Sequence, residues 1–374
     1  MPDAPRPAWI EVDLGAIRRN VSRVGERLSR GTQIMAVVKA DGYGHGAVPV
    51  ARAALQAGAT WLGVILVEEG IRLREAGIDA PVLLLHEAPA NRLDEALAND
   101  LTPVVFTEQG LVSIGEAAER AGRTVRVHLK IDTGLNRLGV LWRHAEELAA
   151  AIAKEGRVEI EAIFTHFAFA DDPTNAFIDT QLQRFNETCE RLAVLGIEPA
   201  FRHVANSAAS ITRPDAHYDA VRLGIAMYGL SPGPKCDGIV DLDPAMTLRA
   251  RVARVTRVSA GEAVSYGHTW RATRDATIAS IPLGYADGWA RGLSNRAPVL
   301  IGGRRYPAVG TVCMDSFMVD LGDDGCAVGD EAVLIGAQES ERVTADEHAA
   351  ALNTINYEIV TRMSPRLPRV YLDG

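Results

Sequence analysis

Lys39 sits in AVVKADGYGHG, behind apolar and small residues and ahead of three glycines, Gly42, Gly44 and Gly46. Such surroundings withdraw water from the ammonium, lower its pKa and favour the neutral amine that forms a Schiff base with a carbonyl. The glycines allow close backbone approach, and the Tyr43 phenol among them offers a hydrogen bond to a phosphate. Further along come Arg137 in DTGLNRLG, His166 in THFAFADD, Asn206 and Ser207 in HVANSAA, and Arg222, Gly224 and Ile225 in VRLGIAMYG. Taken singly, each has an ordinary explanation: a solvated strand-end lysine, a satisfied core histidine, a turn serine, a surface arginine. What they share is a position at the end of a short apolar run, and that asks for one scaffold.

The runs are QIMAVVKA (33–40), WLGVILV (61–67), PVLLLH (81–86), TPVVF (102–106), TVRVHLKID (124–132), EIEAIFTHF (159–167), FRHVAN (201–206) and DAVRLGIAMYG (219–229). Stretches of helical periodicity separate them, among them VPVARAALQAG, EQGLVSIGEAAERAG, WRHAEELAAAIAKEG and one around IDTQLQRFNETCERLAVLG, several ending at glycine as C-caps do. Eight strands alternating with helices predict a (β/α)8 TIM barrel, with a doubly wound sheet as the alternative. Barrels of this kind carry chemistry at the C-terminal ends of strands and bind phosphate after strands seven and eight, where Ser207, Gly224 and Ile225 fall. Near residue 240 the rhythm changes: MTLRARVARVTRV alternates with period two, and short strands separated by Gly, Asp and Asn turns follow. The expected domains are therefore a barrel over 10–237 and a mainly antiparallel β-rich domain over 238–374, joined by residues 1–9. One final helix, ADEHAAALNTINYEIVTRM, should close the second domain.

Composition narrows the function. The chain has 374 residues, 47% apolar and 23% charged, and 39 Lys+Arg against 48 Asp+Glu give a net charge of −9. Disorder is excluded as the main state, and neither nucleic acid nor an anionic membrane is expected as a partner. Cys189, Cys236, Cys313 and Cys326 make no C-x-x-C pair, so no metal site is expected and reduced thiols in a cytoplasmic protein are. No cationic start with an apolar stretch opens the sequence, and no apolar run approaches the ~20 residues of a membrane span.

In order, AVVKADGYGHG, KIDTGLNRLG, THFAFADD, HVANSAA, VRLGIAMYG, SYGHTW, IPLGYADG and VCMD resemble the bacterial alanine racemases, pyridoxal 5'-phosphate enzymes that interconvert L- and D-alanine. The likeness runs from about residue 10 to 372. It implies that Lys39 carries the cofactor and serves as base on the D-alanine face, while Tyr266 serves the L-alanine face, since racemisation needs one base on each side of the α-carbon. It also implies that Tyr43, Ser207, Gly224, Ile225 and Tyr357 hold the phosphate, that Asn206 and His166 belong with them to the cofactor-binding set, and that Arg222 faces the pyridine nitrogen. Guanidinium only donates, so that nitrogen stays unprotonated and the ring is a weaker electron sink. His166 links Arg222 towards Tyr266, lowering the cost of phenolate. Arg137 holds substrate carboxylate or cofactor phenolic oxygen, and Lys130 matches a lysine carbamylated in many relatives. Tyr266 and Met314 complete the site of the other subunit, so a homodimer is expected, acting on alanine to supply D-alanine for peptidoglycan or to catabolise alanine.

The sequence departs from the family pattern at Leu223 for Pro, Thr311 for Arg and Ser316 for Gln or Met, which puts an entrance arginine and the selectivity it would confer in doubt. A decarboxylase of the ornithine or diaminopimelate type shares the architecture but needs an acidic partner for the pyridine nitrogen, against Arg222. A racemase of broader amino-acid range lies closer, and a pyridoxal-phosphate carrier would lack residues 240–374.

Overall fold

The structure, a computed structural model, describes residues 6–373. Its contacts divide the chain into two units: a barrel unit of 16–42 and 47–243, and a second unit of the described residues up to Gly15, Tyr43–Gly46 and Pro244 onward. Of the stretch 1–9 expected to join the second domain, residues 1–5 lie outside the described residues.

In the barrel unit every strand pairing is parallel. From one edge the order is Leu101–Thr102, Val82–Leu84, Trp61–Val64, Gln33–Val37, Ala220–Leu223, Phe201–His203, Val158–Phe164, Val125–Asp132, Val104–Val105. The two edges are the halves of one segment, split by Pro103. Proline cannot donate to a ladder, so the strand pairs with Val82–Leu84 before it and with Val125–Asp132 after it. Counted through Pro103 there are eight strands closed on themselves, which sets aside the doubly wound alternative.

Strands covered on both faces read as continuous Val/Ile/Leu runs, and here those runs fill the interior. Met35, Leu83, Val104 and Phe164 form one buried cluster, and Ala162, Phe201 and Ala220 another against Trp61. The intervening helices follow their local signals. Glu108–Ala121 starts where Thr107 Oγ1 accepts the Gly110 N–H at 2.8 Å and stops at Gly122, whose φ of 65° places it in the left-handed conformation. The expected strands overrun at their C-terminal ends: the first stops at Val37 rather than residue 40, the sixth at Phe164 rather than 167, and the eighth at Leu223 rather than 229. His166 and Lys39 thus stand just past their strands, and Arg222 stands within one.

In the second unit a sheet runs Arg254–Val258, Ala276–Ile281, Phe317–Gly322, Arg304–Val309, Pro298–Ile301, Glu331–Gln338, Met246–Arg251, Ala8–Asp13, Arg369–Leu372. It is antiparallel except for the last pair. The expected single closing helix is two, Ala345–Leu352 and Asn356–Thr361. Asn353 ends the first at φ 55°, a conformation asparagine tolerates better than most residues.

Candidate active site

Lys39 leaves the barrel on an unusual turn. Val38 still donates to Gly63 O at 2.9 Å, but Ala40 (φ 53°, ψ 48°), Asp41 (51°, 52°) and Gly42 (59°, 46°) follow in the left-handed region. Each non-glycine there costs about 1–2 kcal/mol, so the turn persists only because it is held. Glu69 Oε1 accepts the Ala40 N–H at 2.6 Å, Asp41 Oδ1 accepts the Ala47 N–H at 3.0 Å, and Gly42 donates to Val38 O at 2.8 Å. A Cβ on Gly42 would lie 3.2 Å from the Ala47 backbone. The other oxygen of Glu69 accepts the Ile65 and Leu66 N–H groups, so one carboxylate ties the lysine turn to the neighbouring βα loop. Burial, aided by the Arg137 charge, holds the Lys39 ammonium below its ordinary pKa against the opposing pull of Glu69.

Arg222 is 4% exposed and lies inside the barrel. Its NH1 donates to His203 O (2.7 Å) and His203 Nδ1 (2.9 Å), and its NH2 to Thr165 O (2.8 Å), Val204 O (3.1 Å) and His166 Nδ1 (3.1 Å). Guanidinium never accepts, so both imidazoles offer a lone pair at Nδ1 and carry hydrogen at Nε2. His203 Nε2 then donates to His128 Nδ1 at 3.0 Å, and His128 Nε2, which makes no hydrogen bond among the described residues, lies 3.4 Å from a Glu161 carboxylate oxygen. A proton-ordered chain therefore runs Arg222, His203, His128, with the Glu161 carboxylate beyond its end. Burial drives His166 and His203 well below the ordinary histidine pKa, with the Arg222 charge next, so both stay neutral. Phe164 fills the space between, its ring stacked on His203 at 4.6 Å and its face 5.3 Å from both the Arg222 guanidinium carbon and Lys130 Nζ. Lys130, buried, donates to Leu85 O at 3.2 Å, and desolvation followed by the Arg222, Arg137 and Lys39 charges pushes its pKa down to about 8.

Ser207 opens the short helix Ser207–Thr212, with Asn206 as its cap: Asn206 Oδ1 accepts the Ala209 N–H at 3.1 Å. Ser207 Oγ accepts the Gly224 N–H at 2.8 Å and keeps its own hydrogen to give. Ile225 begins a 3₁₀ turn, so its N–H has no acceptor within that turn. Arg137 is exposed in the loop after Val125–Asp132.

The second unit carries the remaining residues. The Tyr43 and Tyr357 rings lie 6.2 Å apart, and burial pushes the Tyr43 phenol up to about 12, which makes it a donor and not a base. Tyr266 is 73% and Met314 53% exposed. Ser265, before Tyr266, has φ 68° and ψ −179°, a conformation essentially confined to glycine that costs about 1–3 kcal/mol. Thr311, read from sequence as a missing arginine, is buried there: Ser265 Oγ donates to Thr311 O at 2.6 Å, and Thr311 Oγ1 donates to the Tyr266 carbonyl at 2.8 Å.

Sequence reasoning missed Glu69, His128, Glu161 and His203. The histidines had a signal, since both stand inside apolar strands where an imidazole must find partners. The glutamates had none beyond helical and strand patterning. Among the described residues no group of three or more His, Cys, Asp or Glu side chains could hold a metal ion.

The donors present suit pyridoxal phosphate. The amine of Lys39 is desolvated, the Ser207 hydroxyl, itself held by the Gly224 N–H, and the Ile225 amide offer neutral donors to a phosphate, and the Arg222 Nε–H makes no hydrogen bond among the described residues, leaving a pure donor for a ring nitrogen.

Family models described as alanine racemase N-terminal domain and alanine racemase C-terminal domain match residues 12–232 and 245–371. An alanine racemase of Symbiobacterium thermophilum is 48% identical over 370 residues, covering 99% of this chain and 98% of that protein. One of Thermobifida fusca is 47% identical, covering 97% and 98%. Among solved structures, alanine racemase from D-cycloserine-producing Streptomyces lavendulae superposes with a TM-score of 0.94 at 44% identity, covering 100% of this chain and 98% of that one. The Bacillus anthracis enzyme with bound L-Ala-P gives 0.94 at 38% identity, covering 99% and 96%.

Proposed function

The chain belongs to the alanine racemase family, and from that membership we propose that it interconverts L- and D-alanine as a pyridoxal-phosphate-dependent isomerase. One observation carries the reading: a desolvated lysine amine and a donor-only arginine lie in one electrostatic neighbourhood, each of them holding down the pKa of Lys130 and of His166. When bound, pyridoxal phosphate supplies the carbonyl that takes up an amino group and the ring that disperses charge left at the α-carbon. Lys39 would hold the cofactor between turnovers, and its amine, once freed, would take or return the α-proton on the D-alanine face. The Tyr266 phenol oxygen would do so on the L-alanine face.

Arg222 would give its Nε–H to the ring nitrogen and cannot give up the proton, which would limit how much charge the ring accepts. That restraint favours return of the proton at the α-carbon over transfer of the amino group. Ser207 and Ile225 would donate to the phosphate, and the family likeness alone assigns the same task to Gly224, whose N–H is given to Ser207 Oγ, and to Tyr43 and Tyr357. Asn206 acts through its cap, fixing where Ser207 stands. Arg137 binds the substrate carboxylate and Met314 borders the substrate.

The exposure of Tyr266 and Met314 supports a homodimer in which each chain lends them to the other's site. Lys130 is the residue for carbamylation, its amine adding to carbon dioxide with loss of a proton, because a lowered pKa keeps neutral amine available. Extra carboxylate density on Lys130 would support this; an unmodified amine in crystals grown without decarboxylating conditions would oppose it. The four cysteines are free thiols, as in a reducing compartment, and no described helix is long and apolar enough to cross a membrane. We place the enzyme in the cytoplasm, supplying D-alanine for peptidoglycan or opening alanine catabolism.

The test is incubation with L-alanine and D-alanine in turn, reading the enantiomer ratio, beside L-serine and L-ornithine. Approach to a 1:1 ratio from both sides is expected. Release of carbon dioxide, or no interconversion of alanine, would overturn the proposal.

A further inference from the structure

The backbone that presents Tyr266 is held from outside its own segment. Ser265, Gly267 and His268 all have positive φ (68°, 70° and 49°), and backbone of that kind persists where neighbours over-determine it. The neighbours come from 310–313. Ser265 Oγ–H donates to Thr311 O at 2.6 Å, Thr311 Oγ1–H donates to the Tyr266 carbonyl at 2.8 Å, and Thr269 Oγ1 lies 3.4 Å from Thr311 Oγ1. That segment is itself pinned. Asn295 Oδ1 accepts the Gly310 N–H at 2.6 Å while its Nδ2 donates to Thr269 Oγ1 at 3.2 Å, and Val312 N–H donates to Ser294 Oγ at 2.9 Å. A side chain at 310 would not permit this approach, since a Cβ there would lie 2.7 Å from Val264 O. Thr311 is 5% exposed, while the phenol it helps to aim stands in the open.

A hydroxyl has one hydrogen, and Thr311 spends it on the carbonyl of Tyr266. That bond fixes the peptide plane leaving Tyr266, and with the Ser265 clamp fixing the approach, both ends of the residue are set. We propose that Thr311 is a positioning residue for Tyr266, its hydroxyl setting the direction in which the phenol leaves the backbone. The proposal rests on the reading of Tyr266 as the base on the L-alanine face. Valine has the shape of threonine without the hydrogen, and serine keeps the hydrogen with less bulk, so the two separate the bond from the packing.

The experiment compares Thr311→Val, Thr311→Ser and Tyr266→Phe holoenzymes with the parent in both directions, with α-deuterated alanine and in D₂O. Thr311→Val is expected to lose about 10- to 100-fold in kcat, as a misplaced catalytic group does, with KM for alanine within about two-fold. Proton removal from L-alanine then becomes slower relative to other steps. The α-deuterium effect should rise from L to D, and the solvent isotope effect should rise from D to L, where Tyr266 returns the proton. Thr311→Ser should recover most of the loss, and amide hydrogen exchange over 264–269 should quicken in Thr311→Val alone. A variant that merely held less folded enzyme would lower kcat with unchanged isotope effects, and that result overturns the proposal, as does Thr311→Ser no better than Thr311→Val. If Tyr266→Phe is inactive while Thr311→Val matches the parent, positioning by Thr311 fails and the base assignment stands; if Tyr266→Phe turns over normally, the base assignment itself fails.

Discussion

Lys39 leaves its strand on a turn fixed by Glu69, Asp41 and Val38, within a barrel whose burial already lowers its pKa. Tyr266 stands 73% exposed on a loop of the other unit, its backbone strained and clamped by Thr311. One of the two proposed bases thus receives both place and a lowered pKa from its own unit. The other is set in place by its backbone while its phenol stands exposed. A base that is held but not yet desolvated needs a second surface to complete its environment, and a second copy of the chain is the occupant that the proposed dimer supplies.

The largest expected effect lies on the barrel side. Lys39→Ala should remove the visible absorbance of the bound cofactor together with about 10⁴-fold or more of turnover, read by absorbance and by enantiomer assay on one sample. Next comes Tyr266→Phe, which should keep the absorbance and lose about 10²–10⁴-fold in turnover. If both variants lost the absorbance, the division between a cofactor-holding unit and a base-lending unit would break. Dilution tests the same contrast without mutation: specific activity should fall as the dimer dissociates in sedimentation, whereas a fully active monomer would mean that the exposed phenol needs no second surface.

Smaller effects probe the buried side. With Lys130 lowered to about 8 in the folded chain against about 10.5 unfolded, the unfolded chain binds more protons between those values. Stability should therefore rise with pH from about 8 to 10.5, by no more than about 3 kcal/mol, in carbon-dioxide-free buffer. Lys130→Met should flatten that slope, measured from denaturant midpoints. Glu161→Gln, beyond the end of the chain from Arg222, should cost about 1 kcal/mol or less and shift the ¹⁵N signals of His128 and His203, while the Tyr266 loop keeps its hydrogen exchange.

Much of this was legible in the sequence because strand and site signals coincide. The apolar runs named all eight barrel strands, and the rim residues followed from where those runs end. The overruns have one cause: residues such as Val38 and Ala40 are as apolar as the strand before them, so hydropathy cannot say where a ladder yields to a left-handed turn. Pro103 was visible as a residue but not as the seam of the barrel, which depends on two neighbours brought there by long-range pairing. Asn353 breaks a periodic helix by a conformation that periodicity does not encode. Thr311 was read by what it is not, and its hydroxyl gained meaning only when the Tyr266 carbonyl came within 2.8 Å.

Three of the five acceptors around Arg222 are peptide carbonyls, those of His203, Val204 and Thr165. A peptide carbonyl is present whatever side chain its residue carries, so this part of the cage is immune to point mutation. A carboxylate at 222 would bring no hydrogen to any of these oxygens and would meet their negative ends in a dry interior. Evolution from this backbone toward acid-partnered chemistry therefore has no single-codon route; it must first re-route the ends of two strands. The preference for a donor at 222 is thus inherited with the path of the main chain and not with the side chains around it.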